Sequence, residues 1–247
     1  MAYEAMFAET VHMRGHQNDQ IDAYLARPLT GGRHAGVVVI HHMPGWDGPT
    51  KEIARRFAHQ GYVAISPNLH FREGKATPEE NSASVRAAGG MPDDRTMGDV
   101  QGAVDYLRAL PYLNGKVGVI GYCSGGRQSF LAACSLQLDA AVDCYGAFIV
   151  NLPPEGMPLK AQPIVGLAKD LSCPLLGLFG ADDQYPAPAE TGELSKELTA
   201  LGKAHEFQTY DGAGHAFFAV NRPSYRVEAA NDGWAKIWDF YGRFLAS

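Results

Sequence analysis

The chain is predicted to fold as a single α/β domain, a mostly parallel sheet of eight strands with helices on both faces. Three observations carry this. A length of 247 residues suits one large α/β domain and leaves too little core for two. Apolar runs rich in β-branched residues alternate with helix-like stretches, the pattern of a parallel sheet buried on both faces. Two further strand-like segments precede those runs.

Those leading segments, residues 5–12 and 20–27, are joined by a polar turn around 17–20 and form an antiparallel edge on the sheet. Residues 36–40, 62–66, 116–122, 140–145, 174–179 and 206–210 supply the six buried strands. Between them, residues 50–60 predict a helix stopped at Gly61, and residues 99–110 another with Val100, Val104 and Leu107 on one face. Asn114 and Gly115 make a turn before the strand that leads to Cys123, and residues 127–135 follow it as a helix. The last helix, residues 226–245, spaces Trp234, Ile237, Trp238, Tyr241 and Leu245 as core residues rather than ligand contacts. Residues 69–98, with Gly89-Gly90, and residues 146–165, with Pro153-Pro154, fit neither period. They are expected to be long loops forming a lid or pocket wall.

A net charge of −6, with 21 basic residues in no dense run, argues against a nucleic-acid surface and for a small-molecule partner. Met1 to Arg14 show no basic stretch followed by an apolar core, and no apolar run approaches the ~20 residues that span a bilayer. A cytoplasmic protein with no membrane partner is expected. The four cysteines have no C-x-x-C spacing, which weighs against structural zinc and dithiol redox chemistry, and no metal is expected. Cys134, Cys144 and Cys173 fit as small buried hydrophobes.

Cys123 differs, because it lies in Gly121-Tyr122-Cys123-Ser124-Gly125-Gly126 between a predicted strand and a predicted helix. A nucleophile on so tight a turn needs neighbours without bulk where strand and helix nearly touch, and glycines 121, 125 and 126 provide that. The helix N-terminus and a nearby imidazole favour a thiolate, and the Ser124 N–H is placed for an oxyanion. Downstream, one strand runs into Gly180-Ala181-Asp182-Asp183 and the next into Gly212-Ala213-Gly214-His215. The chain order of nucleophile, acid and histidine matches that of hydrolases with this elbow. Asp183 is preferred to Asp182 as the orienting acid of His215, with both open.

On these motifs, with Asn114-Gly115-Lys116-Val117-Gly118 and Gly214-His215-Ala216-Phe217, the chain resembles the dienelactone hydrolase family over most of its length. The resemblance implies an α/β-hydrolase fold and a cofactor-free, monomeric or weakly dimeric enzyme that opens a small lactone or ester through a cysteinyl thioester. A general carboxylesterase or thioesterase, or a non-catalytic small-molecule binder, are the alternatives. The chain departs from the family pattern in two places. His42, in His41-His42-Met43-Pro44-Gly45-Trp46, stands where the family's dienelactone-cleaving members carry a glutamate beside the nucleophile. Ala219, with Arg222 three residues on, stands where they carry an arginine for the substrate carboxylate. Adjacent histidines on a strand point to opposite faces and do not chelate one ion. One is therefore expected to be packed and the other, His42, to face the pocket and pair with Cys123. The N–H of Met43 is expected to join that of Ser124 in an oxyanion hole, and Trp46 to wall the pocket.

Overall fold

The computed structural model describes residues 5–74 and 76–246. Strands β1 (Met6–Arg14) and β2 (Gln20–Pro28) pair antiparallel, and β2 pairs antiparallel with β4 (Val63–Pro67). From β4 the sheet continues in parallel through β3 (His34–Ile40), β5 (Leu113–Tyr122), β6 (Ala140–Cys144), β7 (Leu175–Gly180) and β8 (His205–Tyr210). The eight strands lie in the order β1-β2-β4-β3-β5-β6-β7-β8, with only β2 running against the rest. The α/β-hydrolase architecture expected from the sequence is the one observed.

Helices α1 (Gly48–His59) and α6 (Val227–Leu245) cover one face. Phe57 and Ile237 at 0% and Phe240 at 1% exposure pack there against Val37, Val39 and Ile120, each such burial contributing about 1.5–3 kcal/mol. The Tyr241 hydroxyl donates to the Val119 carbonyl at 2.8 Å, which fixes α6 to the central strand. Helices α3 (Asp93–Arg108), α4 (Ser124–Ser135) and α5 (Pro188–Ala200) cover the other face, where Val100, Val104, Leu107 and Phe130 meet Val38 and Val119. No helix among the described residues is long and apolar enough to cross a membrane.

The stretch 69–98 is not the loop expected of it. It holds a 3-10 turn (Phe71–Glu73), helix α2 (Pro78–Ala88) and the first turns of α3, which begins at Asp93 rather than 99. Helix α2 escapes the period test because its inner face is polar, burying Asn81 and Ser82 beside Val85. Its stability is local: Thr77 and Glu80 form a reciprocal capping box, Pro78 occupies the first turn, and Gly89 closes the helix at φ +99°. Residues 146–165 do form a long connection, ending in a 3-10 turn (Val165–Asp170).

Candidate active site

The carboxyl ends of β3, β5, β7 and β8 converge on one cavity of about 1000 Å³. Cys123 caps α4 at φ 57°, ψ −122°, a left-handed backbone that an L-residue holds only under constraint. A Cβ on Gly121 would strike the Gly125 carbonyl, and one on Gly125 the Ile40 carbonyl, so strand, turn and helix touch backbone to backbone. Tyr145, after β6, and Ala216, after His215, are also at positive φ, 46° and 63°.

Asp183 is buried, whereas Asp182 is exposed. The Asp183 Oδ2 accepts from His215 Nδ1 at 2.8 Å, and its Oδ1 from the Tyr185 N–H at 2.9 Å. The His215 ring also hydrogen-bonds the Cys123 sulfur. Cys123, His215 and Asp183 therefore form one connected chain, and Asp182 lies outside it. Burial pushes the Cys123 thiol up. The His215 hydrogen bond and charge, with backbone N–H donors from Ser124 and Met43, outweigh this and bring it below the ordinary thiol value. Burial alone would lower His215, yet its bonds to Asp183 and Cys123 push it up to about 10. Both shifts favour the charged pair, thiolate and imidazolium, over the neutral one.

The two N–H groups expected to receive an oxyanion, those of Met43 and Ser124, both point at the sulfur. Ser82, on α2, donates to the Met43 carbonyl at 2.8 Å and anchors that turn.

Of the adjacent histidines, His41 is 4% exposed and packed and His42 is half-buried, but both line the cavity. The pairing expected between His42 and Cys123 is not the one formed. His42 Nε2 is held by Asp47 Oδ2 at 2.7 Å, and Asp47 in turn caps α1 through the Thr50 N–H at 2.9 Å. Burial raises Asp47, but the His42 hydrogen bond and the Thr50 N–H dominate and bring it down to about 2. Trp46, expected in the pocket wall, lies outside the residues lining the cavity. Its indole N–H donates to the Ser66 carbonyl at 2.9 Å, and the Lys51 ammonium sits 3.8 Å from its ring centre.

Both stretches flagged as pocket walls contribute to the cavity, through Leu69, His70 and Met91 on one side and Phe148, Met157 and Leu159 on the other. Three cations there, Arg86, Lys160 and Arg222, form no ion pair among the described residues. Arg127 also lines the cavity but is fully committed: it grips Asp93 with two nitrogens at 2.7 and 2.9 Å and the Gln162 carbonyl at 2.8 Å. Nothing in the spacing of Arg86, Arg127 or Lys160 singles them out, since they converge from separate elements. Among the described residues no group of three or more His, Cys, Asp or Glu is gathered to hold a metal ion.

A sequence model of the dienelactone hydrolase family matches residues 21–245. A Methylorubrum extorquens protein named "Putative carboxymethylenebutenolidase" is 33% identical over 232 residues, covering 92% of this chain and 78% of that protein. A Bradyrhizobium protein named "Probable 2-oxo-3-(5-oxofuran-2-ylidene)propanoate lactonase" is 30% identical over 236 residues, covering 95% and 93%. Among solved structures, a protein from Klebsiella pneumoniae described as a "Putative Dienelactone Hydrolase" superposes with a TM-score of 0.85 at 29% identity, covering 97% of this chain and 100% of that one.

Proposed function

Because this chain belongs to the dienelactone hydrolase family and is a hydrolase of ester or lactone bonds, we propose that its reaction runs through a thioester on Cys123. The observation that carries this is the connected chain from Cys123 to His215 to Asp183, with two backbone N–H groups aimed at the same sulfur. The thiolate attacks the carbonyl carbon, and the N–H groups of Met43 and Ser124 pass from sulfur to the new oxyanion. As the C–O bond breaks, His215 gives its proton to the departing oxygen and the thioester forms. His215, oriented by Asp183, then takes a proton from water as that water attacks the thioester. The C–S bond breaks, the acid leaves, and the thiolate returns. Thiolate is the better leaving group from the first tetrahedral intermediate unless the alcohol is activated, so enol-lactones and activated esters suit the site and amides do not.

Arg86, Lys160 and Arg222 in the cavity, without an ion pair among the described residues, support a substrate that carries a carboxylate or another anion. The substrate named for the Bradyrhizobium relative, a 2-oxo-propanoate joined to an oxofuranylidene ring, is a lactone of that chemical kind. All four cysteines are free, which fits a reducing cytoplasm. A panel of enol-lactones and aryl esters, with and without a carboxylate, tests the proposal by direct measurement of acid release. The wild type should turn over anionic members preferentially, and Cys123→Ala should lose turnover with a cooperative melt near that of the wild type. Hydrolysis surviving in Cys123→Ala would remove the thioester from the mechanism.

A further inference from the structure

His41 is buried at the end of β3 and belongs to none of the roles assigned above. Both of its ring nitrogens are used, and their partners fix its tautomer. The backbone N–H of Leu69 donates to Nε2 at 3.2 Å, so Nε2 carries no proton. The proton of the neutral ring is therefore on Nδ1, which donates to the His42 carbonyl at 2.8 Å. Burial, with the neighbouring His70 ring 4.7 Å away edge-on, brings His41 down to about 3, and the ring stays neutral at any working pH.

The acceptor is what matters. The His42 carbonyl and the Met43 N–H are the two ends of one peptide group, and that N–H is one of the two donors aimed at the Cys123 sulfur. The peptide is planar, so holding its carbonyl holds the direction of its N–H. Donation into the carbonyl also polarises the group and strengthens the N–H as a donor. The Gly45 N–H donates to the same oxygen at 2.9 Å, but it belongs to the turn itself, whereas His41 ties the peptide to the sheet and to Leu69 beyond β4.

We infer that His41 is a positioning residue, aiming and polarising the Met43 N–H that holds the resting thiolate and later the oxyanion. The inference deepens the proposed thioester mechanism and rests on it for the oxyanion step. The thiolate step can be read without turnover.

Two substitutions separate positioning from packing, because each keeps one of the two hydrogen bonds. His41→Asn sets an amide N–H near the place of Nδ1 and loses the acceptor for Leu69; His41→Gln reaches Leu69 with its carbonyl and gives up the donor to His42. If His41 positions the peptide, His41→Gln lowers kcat about tenfold with KM little changed, and raises the pH midpoint of Cys123 alkylation by iodoacetamide. His41→Asn should retain most of kcat and a midpoint near that of the wild type, even if it melts earlier. Other groups facing Cys123 are His215 with Asp183, His42, Tyr145 and Arg222, and all are unaltered in both variants. Equal losses in the two, or a larger loss in His41→Asn, with the alkylation midpoint unmoved, would overturn the inference in favour of packing alone. Absence of ester turnover in the wild type would count against the thioester mechanism, and the alkylation comparison would still decide the role of His41 at the resting thiolate.

Discussion

Asp182 and Asp183 are adjacent in sequence with opposite surroundings, and the chemistry of the site depends on the difference. The Asp183 carboxylate is buried and shared between His215 Nδ1 and the Tyr185 N–H, whereas Asp182 faces solvent. Asp183→Asn should therefore lower kcat on the order of 10³-fold or more, by misorienting the imidazole, while Asp182→Asn costs less than about tenfold. Steady-state kinetics on one activated ester ranks them. The nucleophile offers a second residue-level comparison. The Cys123 thiol is held below its ordinary value by His215, so iodoacetamide should alkylate it with a midpoint below the usual range near about 8.5. Removing His215 leaves the burial in place and takes away the main lowering partner, so His215→Ala should move the midpoint up. His42 is engaged by Asp47 at 2.7 Å, and His42→Ala should leave the midpoint where it is. As the pH rises through about 10, His215 gives up its proton and with it the charge that lowers the thiol. The sequence could show that a histidine stood beside the nucleophile in place of a carboxylate. It could not show which imidazole the sulfur would choose, because that choice depends on Asp47 capping α1 and drawing His42 aside.

At the scale of elements, the cavity wall formed by residues 146–165 is anchored from α5. The Glu190 carboxylate accepts the N–H groups of Ile149 and Val150 at 3.0 and 3.1 Å and that of Asn151 at 3.4 Å. Glu190→Ala leaves those donors without their acceptor and should cost about 1–3 kcal/mol in urea unfolding. It should also speed proteolytic cleavage within 150–162. Glu190→Gln keeps one acceptor oxygen and should lie between the two; equal cleavage rates in all three would mean the wall is held elsewhere. Hydrophobic period reveals neither α5 nor α2, and for a common reason. The strands and α1, α3 and α6 bury apolar side chains at a regular period, which sequence displays directly. Helix α2 buries asparagine and serine, and α5 buries Glu190 and Thr191 along with two leucines, so the period is diluted by residues that serve the site. The end signals are nonetheless present: Thr77-Pro78-Glu79-Glu80 with Gly89 for α2, and Pro188 with Gly202 just past the C-terminus for α5. Capping chemistry outlasts hydrophobic pattern where a helix lines a cavity rather than the core.

For the whole molecule, the parallel sheet collects at one edge residues that are distant in the chain: Met43 after β3, Cys123 after β5, Asp183 after β7 and His215 after β8. That gathering is legible because the chain order of nucleophile, acid and histidine implies the topology. What the sequence does not show is the stability the molecule gives up beneath the elbow. Asp143, in β6 between the nucleophile strand and the acid strand, has no exposure. Its Oδ1 accepts the Gly146 N–H at 2.8 Å, while its Oδ2 has no partner among the described residues. Burial, with the Glu190 charge adding to it against the Gly146 hydrogen bond, pushes the carboxyl from its ordinary 3.8 up to about 7. An acid raised in the folded state stabilises the fold fully only below its unfolded value. The folded chain holds the proton longer than the unfolded one, so stability falls as the pH rises from about 4 to about 7 and then levels, a total loss on the order of 4 kcal/mol. An asparagine at this place would imitate the protonated acid, accepting from Gly146 with its carbonyl and never ionising. Asp143→Asn should therefore melt above the wild type at about pH 8 and closer to it at about pH 5. Between those two pH values the gap should grow by about 2–3 kcal/mol, or roughly 5–10 °C in a protein of this size. Every other titrating group is common to both proteins, so the change in the gap isolates Asp143. A gap that stays constant across that range would mean that the carboxyl finds a partner when it ionises, and that the elbow stands on a charge rather than on a buried neutral acid.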